Sequence, residues 1–598
     1  MRPIIFGILT VLVLDLTIAL RGAAPPAPSV SDSVTKIVNR MKLEFTKDEL
    51  EKLDVGRVEE FLTPQERHVL GTGHVSFVVN VPVTVSVVRD IELKLEPFWL
   101  REEGFRTNGV LLKESRASFD VWEKEFPAGP VGLGVNSLGG GEHHYFVLLK
   151  PRALAERLKV TGLRPRQLRV DEFKPGIKPY VDRDEKIETI PPSLEHQCIL
   201  RTASRWADAA KLVHLFRWTA YPSSRWPDHV ILTWSEDPKT TQTIQWRAGP
   251  TSARGLVAFA KKSVFTQLGS AGFRLAEASV KRLVDRRLVD DPIVHWHTAT
   301  LRGLEPATTY VYAVGNGPPN CWTQLSEFTT APDGSVPFSF VYMGDAQNGL
   351  ERWGALLHNA FRARPDAAFY VMAGDLVNQG ADRDDWDSFF HGAGGVYDRR
   401  PLIPALGNHD CQGGRPSLYL DQFELPRNGP GRVTPERAYA FEYSNALFLV
   451  LDSNLRPSTQ TSWMEEQLSK TKATWKFVVY HHPAYSSASA RDNIQVREKW
   501  TPIFDRYHVD LALQGHDHAY LRTYPIKAQQ PVQSPAEGTI YVVSVSGTKR
   551  YPQATHNYTA VGLTNVATYQ VLDVSERTLT YRAFDLDGRI KDEFSISK

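Results

Sequence analysis

The chain has 598 residues, of which 42% are apolar, 23% charged and 11% aromatic, which excludes a mostly disordered or collagenous protein and allows about four domains. With 70 Lys and Arg against 68 Asp and Glu the net charge is +2, so broad electrostatic capture of nucleic acid or of an anionic membrane is not expected, although a local basic pocket stays open. The 18 His beside only 3 Cys exclude thiolate zinc modules and disulfide frameworks and leave room for a His/carboxylate metal site.

Met1-Arg2-Pro3, the apolar run Ile4 to Leu14 and the small residues Gly22, Ala23 and Ala24 predict a secretory signal over 1–24, and hence a secreted or periplasmic protein. Asp15 interrupts the run, and no other stretch approaches the ~18 apolar residues that a span needs, so no stable membrane span is expected. Cys198, Cys321 and Cys411 allow at most one bridge, and the sequence does not say which.

Residues 30–160 read as an N-terminal domain of unknown role, mostly β after a charged helical stretch over 30–70. Val79, Val81, Val83, Val85 and Val87 alternate with smaller or polar residues as one half-buried strand, and Pro82 suggests a sheet edge. Ile91, Leu93 and Leu95 suggest a second alternating run. His143 and His144 follow a Gly-rich turn; neighbours in a strand point to opposite faces, so a solvent-facing pair is favoured over a metal site. Residues 161–224, rich in Arg, Pro and Lys, read as a connector. Residues 225–332 contain strands around polar turns. There the run Leu304, Pro306, Thr308, Tyr310 resembles the corner of fibronectin type III domains, where a Tyr hydroxyl returns to the backbone, which implies a fibronectin-like β-sandwich.

After Pro332 apolar strands alternate with helical runs, which predicts an α/β layered domain over 333–598. The predicted strands are Phe338 to Met343, Ala368 to Met372, Leu402 to Leu406, Leu447 to Leu451, Trp475 to Tyr480, Leu511 to Leu513 and Ile540 to Val545. Asp382, Arg383, Asp384 and Asp385 read as a solvated loop. Five polar clusters stand where strands end: Gly344-Asp345, Gly374-Asp375, Gly407-Asn408-His409-Asp410, His481-His482-Pro483 and Gly515-His516-Asp517-His518. Ligands of α/β sheets bind outside the carboxyl ends of the strands, and Gly before the polar residue permits a tight exit. Two Asp, one Asn and several His supply N and O donors, a mix that suits zinc, iron, manganese or cobalt. Each cluster alone is weak; the five in this order carry the signal. P-loop, dinucleotide-binding, GxSxG, HExxH and CxxC patterns are absent.

The order GD, GD, GNHD, HHP, GHDH resembles the calcineurin-like metallophosphoesterases. With a fibronectin-like domain in front, it is most similar to the purple acid phosphatase branch, over about 225–598. The resemblance implies a β-sandwich flanked by helices and two divalent transition metal ions, Fe, Zn or Mn. It puts Asp345 and His518 on one ion, Asn408, His481 and His516 on the other, and Asp375 between them. A carboxylate can span cations ~3.5–4 Å apart, and the water they share is acidified into the attacking hydroxide. His409, beside Asn408, is the expected catalytic residue, contacting the phosphoryl group or protonating the leaving oxygen. His482 is a possible substrate contact, with packing as the alternative. Two positions depart from the family. Asn378 stands where purple acid phosphatases carry the Tyr that colours ferric iron, and Gln347 stands where other branches carry a His; either amide is a possible metal ligand or supporting contact.

The expected function is thus hydrolysis of a phosphate ester by a secreted enzyme, first a phosphomonoesterase. The alternatives are a phosphodiesterase or nucleotide hydrolase on the same metal core, and a non-catalytic surface-binding protein that keeps the fold. Protein partners are not legible.

Overall fold

The computed structural model describes residues 28–598 apart from 94, 114–116, 154–155, 317–320, 413–414 and 489–490; the signal expected over 1–24 lies outside the described residues. Among the described residues no helix is long and apolar enough to cross a membrane. None of the three Cys is bridged. The chain forms two compact units, one ending at Phe216 and the other beginning at Arg217.

The first unit opens with the helices Val30–Glu44, Lys47–Glu51, Val55–Phe61 and Pro64–Thr72. Ser29, Thr46 and Thr63 cap three of them, each accepting from the third backbone N–H while an acid at that position returns the bond, which is worth about 1 kcal/mol per cap. The Val alternation is two strands rather than one. Val75–Val79 is the middle strand of a three-stranded sheet, and Val83–Asp90 lies inside a six-stranded one, paired with both Ser118–Phe126 and Phe146–Pro151. Pro82 needs no edge, because it sits in the break between the strands. Ile91, Leu93 and Leu95 lie in no strand, and Ile91 and Leu95 are exposed, so alternation over three residues does not mark a strand there. Residues 161–216 are not a connector: Arg169–Glu172 and Cys198–Arg201 complete the six-stranded sheet, and Val160–Arg164 pairs with Val75–Val79. Their Arg and Lys content reflects strands with exposed faces. His143 and His144 are buried, not solvent-facing. His143 Nδ1 is 2.8 Å from the Asp90 carboxylate, and His144 Nε2 is 3.0 Å from His74 Nε2.

In the second unit, seven strands between Asp228 and Thr329 form a continuous ladder that folds over one core containing Trp246, Phe259, Leu301, Tyr310 and Phe328. The turn is made by Arg274–Val284, whose first half pairs with Gly255–Lys261 and whose second half pairs with Ile293–Arg302. Tyr310 Oη accepts the Glu305 N–H at 3.0 Å, a return to the backbone five residues upstream.

Beyond Pro332 a six-stranded and a seven-stranded sheet face each other. Strands Phe338–Met343, Tyr370–Met372 and Leu402–Pro404 run parallel in the first; Ala446–Val450, Trp475–Val479, Leu511–Gln514 and Ile540–Val543 run parallel in the second. Alternate side chains divide between two cores. Phe448, Phe477 and Leu511 point between the sheets, whereas Leu447, Val478 and Ala512 pack outward on the helices Thr461–Lys470 and Ile494–Tyr507. Burial on both faces is why these strands read as unbroken apolar runs. The charged patch at 382–385 is not a solvated loop. It begins the helix Arg383–Ala393, and Arg383 is fully buried, its Nη1 3.2 Å from Asp291.

Candidate active site

The two sheets deliver their parallel strand ends to one place. Asp345, Asp375 and Asn408 follow strands of the first sheet; His481, His516 and His518 follow strands of the second. Each exit is tight. Asp345, Asp375, His516 and His518 all have positive φ, between 45° and 77°, a costly conformation that clusters at functional sites. Glycine is required at Gly407, where a Cβ would lie 2.1 Å from the Asp375 backbone nitrogen, and at Gly515, where it would lie 2.4 Å from Asp345 Oδ2.

Two overlapping groups result. In one, ligand atoms of Asp375, His481 and His516 lie within 4.8 Å of one another; in the other, those of Asp345, Asp375 and His518 do so. Asp375 is common to both. Asn408 joins the first group: its Oδ1 is 3.1 Å from His481 Nε2 and 2.9 Å from His516 Nδ1. His481 donates from Nδ1 to the Ala373 carbonyl at 2.9 Å, which leaves the Nε2 lone pair 3.1 Å from Asp375 Oδ2 and 3.2 Å from His516 Nδ1. Gln347 joins the second group, its amide nitrogen 2.7 Å from Asp375 Oδ2 and 3.3 Å from His518 Nε2.

A metal fits these residues better than protein partners do. Asp345 Oδ1 and Gln347 Oε1 are buried without a hydrogen-bond partner, and such groups are costly when left unsatisfied. Burial pushes Asp345 far above the usual carboxylate range, with Asp375 adding to it, so the pair resists holding two negative charges without a cation. Burial opposes charge on His481, yet Asp375 and Asp345 push it up to about 10: the position calls for a positive charge. Burial lowers His518 to about 3 and holds His516 lower still, so both rings offer lone pairs, the form in which imidazole binds metal.

The remaining candidates fall around this centre. The His409 N–H donates to Asp375 Oδ1 at 2.8 Å, and its ring Nδ1 donates to the Asn378 carbonyl at 2.7 Å, which leaves Nε2 as the free ring atom. The Ser453 hydroxyl accepts the His482 N–H at 2.9 Å and lies 2.8 Å from His482 Nδ1; when it donates to that nitrogen, the ring hydrogen stands on Nε2. The His482 ring is 4.4 Å from that of His516. Of the two departing amides, Gln347 stands within the donor set, whereas Asn378 meets it through its backbone and lines a neighbouring cavity.

Two supporting carboxylates were not singled out by the sequence. Asp410 accepts from the N–H groups of Gly407, Leu376 and Val377 and so clamps the second and third clusters together. Asp517 accepts from Ser487 N and from the Ser486 and Ser487 hydroxyls and fixes the fifth. Their place inside the motifs was a signal, but only the fold shows that Asp410 meets backbone N–H groups and that Asp517 meets Ser486 and Ser487.

Residues 338–520 match the family of calcineurin-like phosphoesterases, and residues 227–330 match the purple acid phosphatase N-terminal domain. The second unit carries a calcineurin-like phosphoesterase domain. A purple acid phosphatase of Glycine max is 27% identical over 249 residues, 38% of this chain and 52% of its own length. A phosphoenolpyruvate phosphatase of Allium cepa is 27% identical over 256 residues, 38% of this chain and 51% of its own. The chain spans about half the length of the curated relatives it matches. The chain also aligns in fold with a purple acid phosphatase from yellow lupin (Lupinus luteus) seeds, with a TM-score of 0.53 at 15% identity, over 88% of this chain and 91% of that one.

Proposed function

We propose that the protein is a secreted phosphomonoesterase that works with a binuclear divalent metal centre. The observation that carries this is the convergence of lone pairs from Asp345, Asp375, Asn408, His481, His516 and His518, with a buried acceptor left unsatisfied among them. Asp345 and His518 would hold one ion and Asn408, His481 and His516 the other, with Asp375 shared and the Gln347 amide, turned about its last bond, as a neutral addition. Such a pair supplies an acidified water and offsets phosphoryl charge. The chain's own residues supply the rest. His482 Nε2–H is placed to donate to a phosphoryl oxygen. His409, when protonated, can release its Nε2 proton to a leaving oxygen while Nδ1–H stays on the Asn378 carbonyl. Retention of the full donor set, with its strained exits, argues against a non-catalytic scaffold. Residues 225–332 are read as fibronectin type III-like on the Tyr310 return. Export is read from Ile4 to Leu14 and tested by N-terminal sequencing of secreted protein.

Elemental analysis beside hydrolysis of 4-nitrophenyl phosphate and of bis(4-nitrophenyl) phosphate, before and after chelation, tests the activity. Two metal equivalents, a monoester preference and loss on chelation are expected. A diester preference would favour the phosphodiesterase alternative, and metal-loaded protein inert on both would return the scaffold reading.

A further inference from the structure

Beside the candidate centre lies a cavity of about 470 Å3 lined by Tyr221, Asn348, Glu351, Asn378, Asp385 and His391 among others. It borders the centre on the His409 side. Asn348 follows Gln347, whose amide reaches Asp375 and His518, and the Asn378 carbonyl holds His409 Nδ1.

The lining is specific in charge and shape. Tyr221 lies flat on His391, ring centroids 3.8 Å apart and planes 15° from parallel, which makes an aromatic wall. Glu351 and Asp385 are the charged side chains of the cavity's carboxylate lining, and among the described residues no Lys or Arg lines it. Asp385 is half-buried and accepts the Gln379 N–H with one oxygen, so it is held in place. Asn348 Nδ2 is buried with no hydrogen-bond partner, a donor left for a ligand oxygen. The basic groups stand instead by the fifth cluster. Arg491 Nη1 donates to the His516 carbonyl, and both Arg491 and Lys549 lie over Tyr551, whose ring edge meets His518 at 4.8 Å between centroids. Arg217 also acts on Asp385 from outside the cavity, where Asp285, Asp382 and Asp384 pair with it, so among the described residues the lining itself presents carboxylates and no Lys or Arg.

We propose that this cavity is the leaving-group subsite of the phosphatase reaction argued above, on which it rests, and that it selects small cationic alcohols. The substrate class is phosphate monoesters of amino or quaternary-ammonium alcohols, such as choline phosphate and ethanolamine phosphate. Water adds to phosphorus, the bond from phosphorus to the alcohol oxygen breaks, its electron pair leaves with that oxygen, and the oxygen takes a proton; inorganic phosphate and the amino alcohol are released. Carboxylates and an aromatic face are the groups that favour an ammonium.

The test compares kcat/KM of the metal-loaded full chain on choline phosphate, on phosphoglycolate, whose leaving group is anionic, and on neutral 4-nitrophenyl phosphate. Choline phosphate should exceed phosphoglycolate by about fivefold or more, the effect of one charge contact in a wet site. Glu351→Lys should reverse that ratio and Glu351→Gln should reduce it; Glu351 is exposed on its helix, so folding is not at stake. Saturation-transfer NMR of choline with metal-free protein should show contact in the parent and none in Glu351→Lys. Hydrolysis of 4-nitrophenyl phosphate with no preference for choline phosphate, or a ratio indifferent to Glu351, overturns the subsite and leaves the phosphatase reading intact. Metal-loaded protein inert on every monoester overturns both.

Discussion

Asp375→Asn tests the centre at the one residue common to both donor groups. Asp375 is buried, and its oxygens are committed: Oδ1 accepts the His409 N–H, while Oδ2 accepts from Gln347 and lies 3.1 Å from His481 Nε2. An amide replaces one acceptor with a donor and removes the charge. Either His409 N–H then meets an NH2 group, or the NH2 faces Gln347 and the space between the two groups. Changes that only touch a metal ligand indirectly already cost roughly 10–100-fold in affinity, so the shared carboxylate should cost at least about 100-fold at each site. At saturating metal a 100-fold rise in Kd removes about 2.7 kcal/mol of metal-induced stability. At about 2–4 °C per kcal/mol for a domain of this size, the metal-induced rise in Tm should shrink by roughly 5–11 °C for each site weakened, about 11–22 °C for the two. The assay is a pair of thermal melts per protein, chelated and metal-loaded, beside elemental analysis. Because the increment is taken within each protein, any change to the metal-free fold cancels. A variant that keeps two metal equivalents, the parental increment and near-parental turnover would refute the shared-ligand assignment.

Three further outcomes are expected. His481→Ala should lose metal, whereas His409→Ala should keep both metals and lose ~10²–10⁴-fold in turnover on esters of basic alcohols, less on nitrophenyl esters; equal loss on both ester types, or a missing metal in His409→Ala, would remove the acid role. Asp387→Ala should destabilise the second unit by about 1–3 kcal/mol in denaturant melts, because Arg247 Nη1, 2.7 Å from Asp387, and the Thr219 hydroxyl lose a buried partner, while Asp228 and Asp291 still offset the charges of Arg247 and Arg383; a loss under about 0.5 kcal/mol would show that the contact is dispensable. Burial, with Glu424 beside it, pushes Glu436 up to about 7. A carboxyl raised in the folded state gives stability that is full below about 4.5 and is lost as pH rises through 7, so Glu436→Gln should flatten that part of the stability profile relative to the parent, and parallel profiles would contradict it.

The centre was legible because its chemistry is written in short contiguous motifs at the ends of apolar strands. Where side chains act through neighbours in the chain, as in Asn408-His409 or His516-Asp517-His518, order along the sequence carries the geometry. What was not legible depends on pairing at a distance. The Val75–Val79 and Val83–Asp90 strands share one alternation, and only their partners show that they belong to different sheets. Residues 161–216 lack strong periodicity because their strands expose one or both faces, yet backbone hydrogen bonds still build them into the sheet. Arg383 reads as a surface charge until Asp291 and Asp387, 92 residues before it and one helical turn after it, close around its guanidinium. His143 and His144 mislead in the same way, since the groups that make their burial tolerable are Asp90 and His74. Local pattern therefore predicts strands, their exits and the reacting groups. Burial of a charged or polar residue is decided by its partner, and a partner far along the chain leaves no mark on the sequence around it.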